Sequence, residues 1–274
     1  MNPRAVSAWS FAALTVALAT SNPIYRALVL LCALDVLVAF RRRGTHIRGL
    51  LLAVTIAGIF AVAITVLFSH TGTHVLLRLP DAIPALGGPI TVETLVFGIT
   101  TALGIAAAII AGAALSIVVE PHELIHALPG VLARSGAALG TALNLIPGVA
   151  RSAIEIRDAQ RMRGWRPARV RDWPDIAVPV VLTAIESSMT LAESMEARGY
   201  GAAVRTHFSV SAWRTADTIV TVCSLAAAGT FVALRIIGVV GDWYPFPTVT
   251  VPPVNVIAAC CCLALAAPLL VWRR

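Results

Sequence analysis

Two copies of an Arg-Gly motif lie in the most polar part of the sequence. The first reads Asp158-Ala-Gln-Arg-Met-Arg-Gly-Trp165 and the second reads Glu193-Ser-Met-Glu-Ala-Arg-Gly-Tyr200, which puts the two Arg-Gly pairs 35 residues apart. Arginine presents a planar fork of donors that fits a carboxylate or neighbouring carbonyl oxygens. Glycine adopts the left-handed conformation in which many helices end, and a cation in the last turn complements the helix dipole. Each motif therefore predicts a helix end with an exposed arginine, and the matched flanks indicate two similar binding surfaces.

A second chemical pattern is His122-Glu-Leu-Ile-His126, which fits His-Glu-x-x-His. On a helix this spacing puts His122 and His126 one turn apart for zinc, with Glu123 as general base. An intramembrane zinc metalloprotease is therefore the alternative function. Two prolines leave this helix barely two turns, and no recognisable motif supplies a third ligand. We accordingly expect no catalytic residues, no bound metal and no cofactor.

The composition is that of a polytopic membrane protein, with 58% hydrophobic and only 13% charged residues. All 21 basic residues are arginine, so the chain cannot form a Walker A site or a lysine Schiff base. The net charge of +7 is expected to mark cytoplasmic loops. The tryptophans Trp165 and Trp173, with the arginines between them, are interpreted as an interfacial belt, so no nucleic-acid partner is expected.

Apolar runs alternate with polar loops along the chain. If each run crosses the bilayer once, the termini, the triple-arginine loop and residues 120–210 share one side, and that side holds nearly every arginine. Basic residues favour the cytoplasmic side, so both termini are predicted to be cytoplasmic. The count falls to five spans if the first run only dips into the interface. The runs are Ala5–Ala19, Ile24–Phe40, Leu50–Phe68, Thr94–Val119, Ala212–Val240 and Val254–Trp272.

Within residues 120–210, hydrophobicity becomes periodic instead of continuous. Pro147-Gly148 is expected to end one helix, after which a new helix should run to Gly164. A further helix is expected from Asp175 to Arg198. Its apolar part, Ile176–Ile185, has ten residues and is too short to span, so we expect it to lie on the membrane or on partner helices.

Two charges fall inside the predicted spans. Asp35 lies within about two turns of Arg41–Arg43, so the pattern is compatible with either snorkelling toward those arginines or a function. Arg235 lies near a span end and is expected to pair with Asp242.

The polar segment resembles a known family. Leu143–Pro147, Glu155–Gln160 and Arg161–Gly164 look like the first coupling helix of the transmembrane T component of energy-coupling factor (ECF) transporters, and Glu193–Tyr200 looks like the second. A weaker likeness extends to Asn22-Pro23, after the first apolar run, and to Ile90-Thr91, at the start of the long span. Met162 departs from the pattern, because the family usually has alanine there.

The resemblance implies an all-α fold: a polytopic bundle of about six membrane helices with an inserted helical cytoplasmic coupling domain. It divides the chain into membrane helices at 1–119, the coupling domain at 120–210 and further membrane helices at 211–274. The implied protein is a non-catalytic, multi-pass scaffold in the cell membrane. Its implied partners are two ABC-type ATPases and a small membrane S subunit that captures a vitamin or transition-metal ion. The residues assigned to ATPase coupling are Arg163, Gly164, Arg198 and Gly199, with Ala197, Gln160, Asp158 and Glu193 beside them.

Overall fold

The structure, a computed structural model, describes residues 2–41, 47–69, 71–78, 89–120, 123–124, 133–166, 172–199 and 213–272, with the side chains of 133–137 left out. Helices dominate these ranges, which confirms the predicted helical membrane fold. They are α1 (Pro3–Ala19), α2 (Pro23–Phe40), α3 (Ile47–Phe68), α4 (Val92–Val118), α5 (Ala133–Met162), α6 (Pro174–Ala197), α7 (Thr215–Ile236), α8 (Val256–Ala264) and α9 (Ala267–Val271). A short antiparallel pair, β1 (Val75–Arg78) and β2 (Pro89–Thr91), precedes α4.

Helix starts follow Asn and Pro in the sequence. The Asn2 side chain accepts a hydrogen bond from the backbone N–H of Arg4, and the Asn22 side chain accepts one from Ile24. Proline follows each of these asparagines at a position that needs no hydrogen-bonded N–H. The turn between α1 and α2 is therefore encoded locally.

The chain forms two compact units, Met1–Pro121 with Ser211–Arg274, and His122–Val210. In the first unit, α1, α2, α4, α7 and α8 enclose the core, and α3 packs along α4. Tyr25 meets Phe231 edge-on with ring centroids 5.7 Å apart. The Trp9 indole N–H donates to the carbonyl of Leu265 at 2.8 Å. The first and last helices of the chain therefore share one core.

Five described helices are long and apolar enough to cross a membrane: α2, α3, α4, α6 and α7. Three of the six expected runs fold differently from expectation. The first is a helix of 17 residues, the last is divided into α8 and α9, and the run Ala212–Val240 supplies a helix that ends at Ile236. α6 joins the set by length and composition, because its helix continues well beyond the ten-residue run Ile176–Ile185.

Polar groups inside the first unit have internal partners. The Asp217 side chain is 1% exposed and accepts from the Asn2 N–H at 3.3 Å, the Arg214 N–H at 3.1 Å and the Trp272 indole N–H at 3.1 Å. One carboxylate thus joins the start of α1, the start of α7 and the end of α9. Buried donors and acceptors without partners are costly, so this network stabilises the unit.

Arg26 shows the same pattern between α2 and α4. Its guanidinium donates to the carbonyl oxygens of Thr20 and Thr100, both at 2.8 Å. Gly104 allows this approach, because a Cβ there would lie 2.9–3.1 Å from guanidinium atoms. At the end of α7, Arg235 pairs with Asp242, which confirms that expectation, and Asp242 also accepts from the Ser21 hydroxyl at 3.0 Å.

The second unit contains α5 and α6, which pack against each other. The expected break at Pro147-Gly148 is wrong: α5 is a single helix of 30 residues with Pro147 inside it. A proline in a helix removes one backbone hydrogen bond and favours a bend, but the remaining bonds on both sides can carry the helix through. The helix that ends at the first Arg-Gly motif is therefore much longer than its local sequence suggests.

Candidate functional site

The first Arg-Gly motif ends α5 with a closed hydrogen-bond motif. Gly164 has φ = 88°, and its N–H donates to the carbonyl of Arg161 at 3.0 Å. The Trp165 N–H reaches back to the carbonyl of Gln160 at 2.9 Å. These two bonds form a Schellman motif, which satisfies the last carbonyl groups of the helix. Gln160 is thus part of the cap through its backbone.

The second motif also ends its helix, α6, at a glycine with positive φ. Gly199 has φ = 74°, and its N–H donates to the carbonyl of Glu196 at 2.9 Å. Ala197 is the last helical residue, and the Arg198 N–H bonds back to Ser194 at 3.2 Å. Neither glycine has an atom within 4 Å of the place where a Cβ would stand. Glycine is required here by conformation and not by lack of space, as the motif predicted.

Both arginines are exposed at these helix ends. The guanidinium groups of Arg163 and Arg198 make no hydrogen bond or ion pair inside the portion of the chain that the structure describes. Asp158 is also exposed, and it pairs with the preceding Arg157 at 3.1 Å instead of with Arg163. Glu193 is exposed on α6. The two guanidinium groups are therefore available for a partner, and the acids do not neutralise them.

Met162 is 85% exposed beside Arg163. A large apolar side chain in this position adds contact area next to a charge, which is the mixture found at the centre of many interfaces. The substitution of Met for the more usual Ala is accommodated because nothing within the unit packs against it.

A hydrogen bond links the two helices near the first motif. The Trp165 indole N–H donates to Oδ2 of Asp175 at 3.1 Å. Trp165 follows the cap of α5, and Asp175 lies in the first turn of α6. This bond therefore joins the end of one helix to the start of the next.

α6 also carries an exposed apolar stripe. Val178, Val181, Leu182, Ile185 and Met189 are each more than half exposed and recur at three- and four-residue spacing. The apolar surface predicted from the sequence reached only to Ile185, but in the structure the exposed apolar positions continue at helical spacing to Met189. That period, visible in the printed sequence, is the signal by which the longer surface could have been found.

The metalloprotease pattern gains no support from the described residues. His122 and His126 lie outside them, while Glu123 lies inside. Across the described ranges, no group of three or more His, Cys, Asp or Glu side chains could hold a metal ion. The described surface of the second unit presents two exposed arginines at helix ends and one apolar stripe.

A family model described as CbiQ, cobalt transport protein, matches residues 2–208. The chain belongs to the CbiQ family. This match includes both Arg-Gly motifs and most of the first unit, and it confirms the resemblance drawn from the motifs. With its apolar helices, the CbiQ-family chain is a multi-pass membrane protein.

A curated relative from Listeria innocua is named energy-coupling factor transporter transmembrane protein EcfT. The two sequences are 31% identical over 126 residues, which is 43% of this chain. The matched part spans 46% of the relative's length, so the chain aligns with about half of it.

Proposed function

We propose that this CbiQ-family chain is the transmembrane scaffold subunit of an ECF-type importer. In this role, it couples ATP hydrolysis by two ABC-type ATPases to uptake of a vitamin or transition-metal ion, captured by a small S subunit. The observation that carries the proposal is the pair of matched helix ends, each with an exposed and unpaired arginine after a capped last turn. The family match and the name of the Listeria relative support it.

In the proposed mechanism, each Arg-Gly end inserts into one ATPase. Arg163 and Arg198 contact acceptor groups on the ATPase surface, where a bidentate arginine gives both attraction and orientation. ATP binding draws the ATPases together and moves the two ends. The Trp165–Asp175 bond fastens the first end to α6, so movement at α5 is carried into the helix with the apolar stripe.

The S subunit and the lipid surface are the partners we assign to that stripe. A helix with a continuous exposed apolar face buries it against another element. We place residues 120–210 and both termini on the cytoplasmic side of the cell membrane, where the arginines concentrate. The chain itself performs no catalysis in this mechanism, and the ATP chemistry belongs to the ATPases.

The test is co-purification of the ATPases with the double variant Arg163→Glu/Arg198→Glu. Charge reversal at both ends should abolish recovery of the ATPases while membrane insertion and yield stay unchanged. Arg151→Glu is the matched control, since this exposed arginine lies on α5 three turns before the helix end. Full retention of the ATPases by the double variant would contradict the mechanism.

The metalloprotease alternative has its own experiment. Glu123→Gln removes the general base that such an enzyme requires. Under the transporter proposal, substrate uptake by the Glu123→Gln complex equals that of the wild type, and the purified wild-type protein contains no stoichiometric zinc. Bound zinc together with proteolysis that Glu123→Gln abolishes would favour the enzyme instead.

A further inference from the structure

A carboxylate lies on an outward face of α2, inside an otherwise apolar span. Asp35 is exposed, and its neighbours one helical turn away in either direction are Leu31, Cys32, Val38 and Ala39. Leu31 and Val38 are 57% and 59% exposed, so the three exposed residues form one stripe along the helix. The stripe is apolar at both ends and acidic in the middle.

The described residues offer the Asp35 carboxylate no partner. Its oxygens make no hydrogen bond or ion pair with any residue in the described ranges. Phe40, the last residue of α2, lies five positions after Asp35, which corresponds to about 8 Å of helix. Arginine and lysine can snorkel over such a distance, but aspartate has a short side chain. Of the arginines toward which snorkelling was considered, Arg41 lies six positions on, where a continued helix would face away from Asp35, and Arg42 and Arg43 lie outside the described residues.

This isolation contrasts with the other buried or intramembrane charges of the first unit. Asp217, Arg26 and Arg235 are each held by partners within the unit. Charged groups inside membranes pair with one another or face a protein interior, because hydrocarbon supplies no hydrogen bonds. Since those three charges have partners among the described residues and Asp35 has none, its carboxylate points to a donor supplied by another molecule.

We propose that the Leu31–Asp35–Val38 stripe docks a transmembrane helix of another subunit, and that this helix presents a basic or multiple-donor side chain to Asp35. Charge complementarity selects this occupant, since a lipid tail offers no donor. A second copy of the chain fits poorly: a two-fold contact through this stripe would set Asp35 against Asp35. The proposal rests on the proposed function, which supplies a partner membrane subunit in the complex.

The experiment compares Asp35→Leu with Asp35→Glu in the complete complex purified in mild detergent. Asp35→Leu should keep both ATPases and insert at least as well as the wild type, because it removes a charge from the span. It should recover roughly three- to tenfold less of the small membrane subunit, as expected for the loss of one interhelical polar contact. Asp35→Glu keeps the carboxylate and should recover most of that subunit.

A photoreactive residue in place of Val38 gives a second readout that does not depend on the Leu variant folding. It should cross-link the small membrane subunit. Undiminished recovery of that subunit with Asp35→Leu, or cross-links only to lipid or to another copy of this chain, would overturn the proposal. A wild-type complex without ATPases would instead refute the proposed function, while the cross-link at Val38 would still reveal whether a membrane helix docks there.

Discussion

The two units differ in whether their charged side chains have partners within the unit. In the first unit, Asp217 and Arg26 are surrounded by donors and acceptors from distant parts of the chain. In the second, Arg163 and Arg198 stand exposed on helix ends, and apolar residues of α6 face outward. The carboxylate of Asp217 and the guanidinium of Arg26 are thus satisfied inside the first unit, whereas the two arginines at the helix ends of the second unit are exposed. Changes to the internal network of the first unit should therefore act on stability, and changes at the helix ends of the second should act on assembly.

The largest loss of stability is expected for Asp217→Ala. Three N–H groups would lose their acceptor in a buried site, at a cost of about 3 kcal/mol. The midpoint of thermal unfolding in detergent should fall clearly. Asp158→Ala is the matched control in the second unit, because Asp158 is exposed and pairs only with its neighbour Arg157. An equal shift in both variants would contradict the contrast between the units.

Gly104→Ala should have the next largest effect. The new Cβ would press on the half-buried Arg26 guanidinium, and overpacking of this kind costs about 2 kcal/mol. Gly112→Ala on the same helix is the control, since nothing lies within 4 Å of the position of its Cβ. Thermal unfolding of the two single variants checks the difference, and equal midpoints would argue against the Arg26–Gly104 contact.

Gly164→Ala and Gly199→Ala should each cost about 1 kcal/mol. Both positions have positive φ, which alanine adopts only with strain, although there is space for its methyl group. The effect should appear as earlier proteolysis or faster amide exchange near the ends of α5 and α6. Gly→Asn at the same positions should lose less, because asparagine tolerates this conformation. Identical behaviour of the Ala and Asn variants would show that conformation is not the constraint.

The smallest effect on stability is expected for Arg163→Ala and Arg198→Ala, within about 0.5 kcal/mol of the wild type. Neither guanidinium has a partner among the described residues that it could lose. Each single variant should nevertheless weaken ATPase recovery, which isolates binding from folding. A clear drop in the unfolding midpoint would mean that these arginines hold the unit together.

Local patterns predicted much of this structure. Continuous apolar runs indicated α2, α3, α4 and most of α7, and Gly164 and Gly199 marked two helix ends correctly. The sequence did not predict that the helix continues through Pro147. Proline signals locally that one backbone hydrogen bond is lost, but the many bonds that hold the rest of the 30-residue helix give no such local signal. Two of the three partners of Asp217 lie 215 and 55 residues away, so no window of sequence could reveal them. The local sequence shows only that Asp217 is an acidic residue in the first turn of an apolar helix.

The bond between Trp165 and Asp175 has a geometric consequence. The bond holds the end of α5, which carries Arg163, near the start of α6, while Arg198 lies at the other end of α6. With 24 residues, α6 is about 36 Å long, and this length sets the distance between Arg163 and Arg198. Under the proposed function, the ATPases would have to present their two binding sites at a matching distance, and removal of one helical turn from α6 would reduce the distance between the two arginines by about 5 Å.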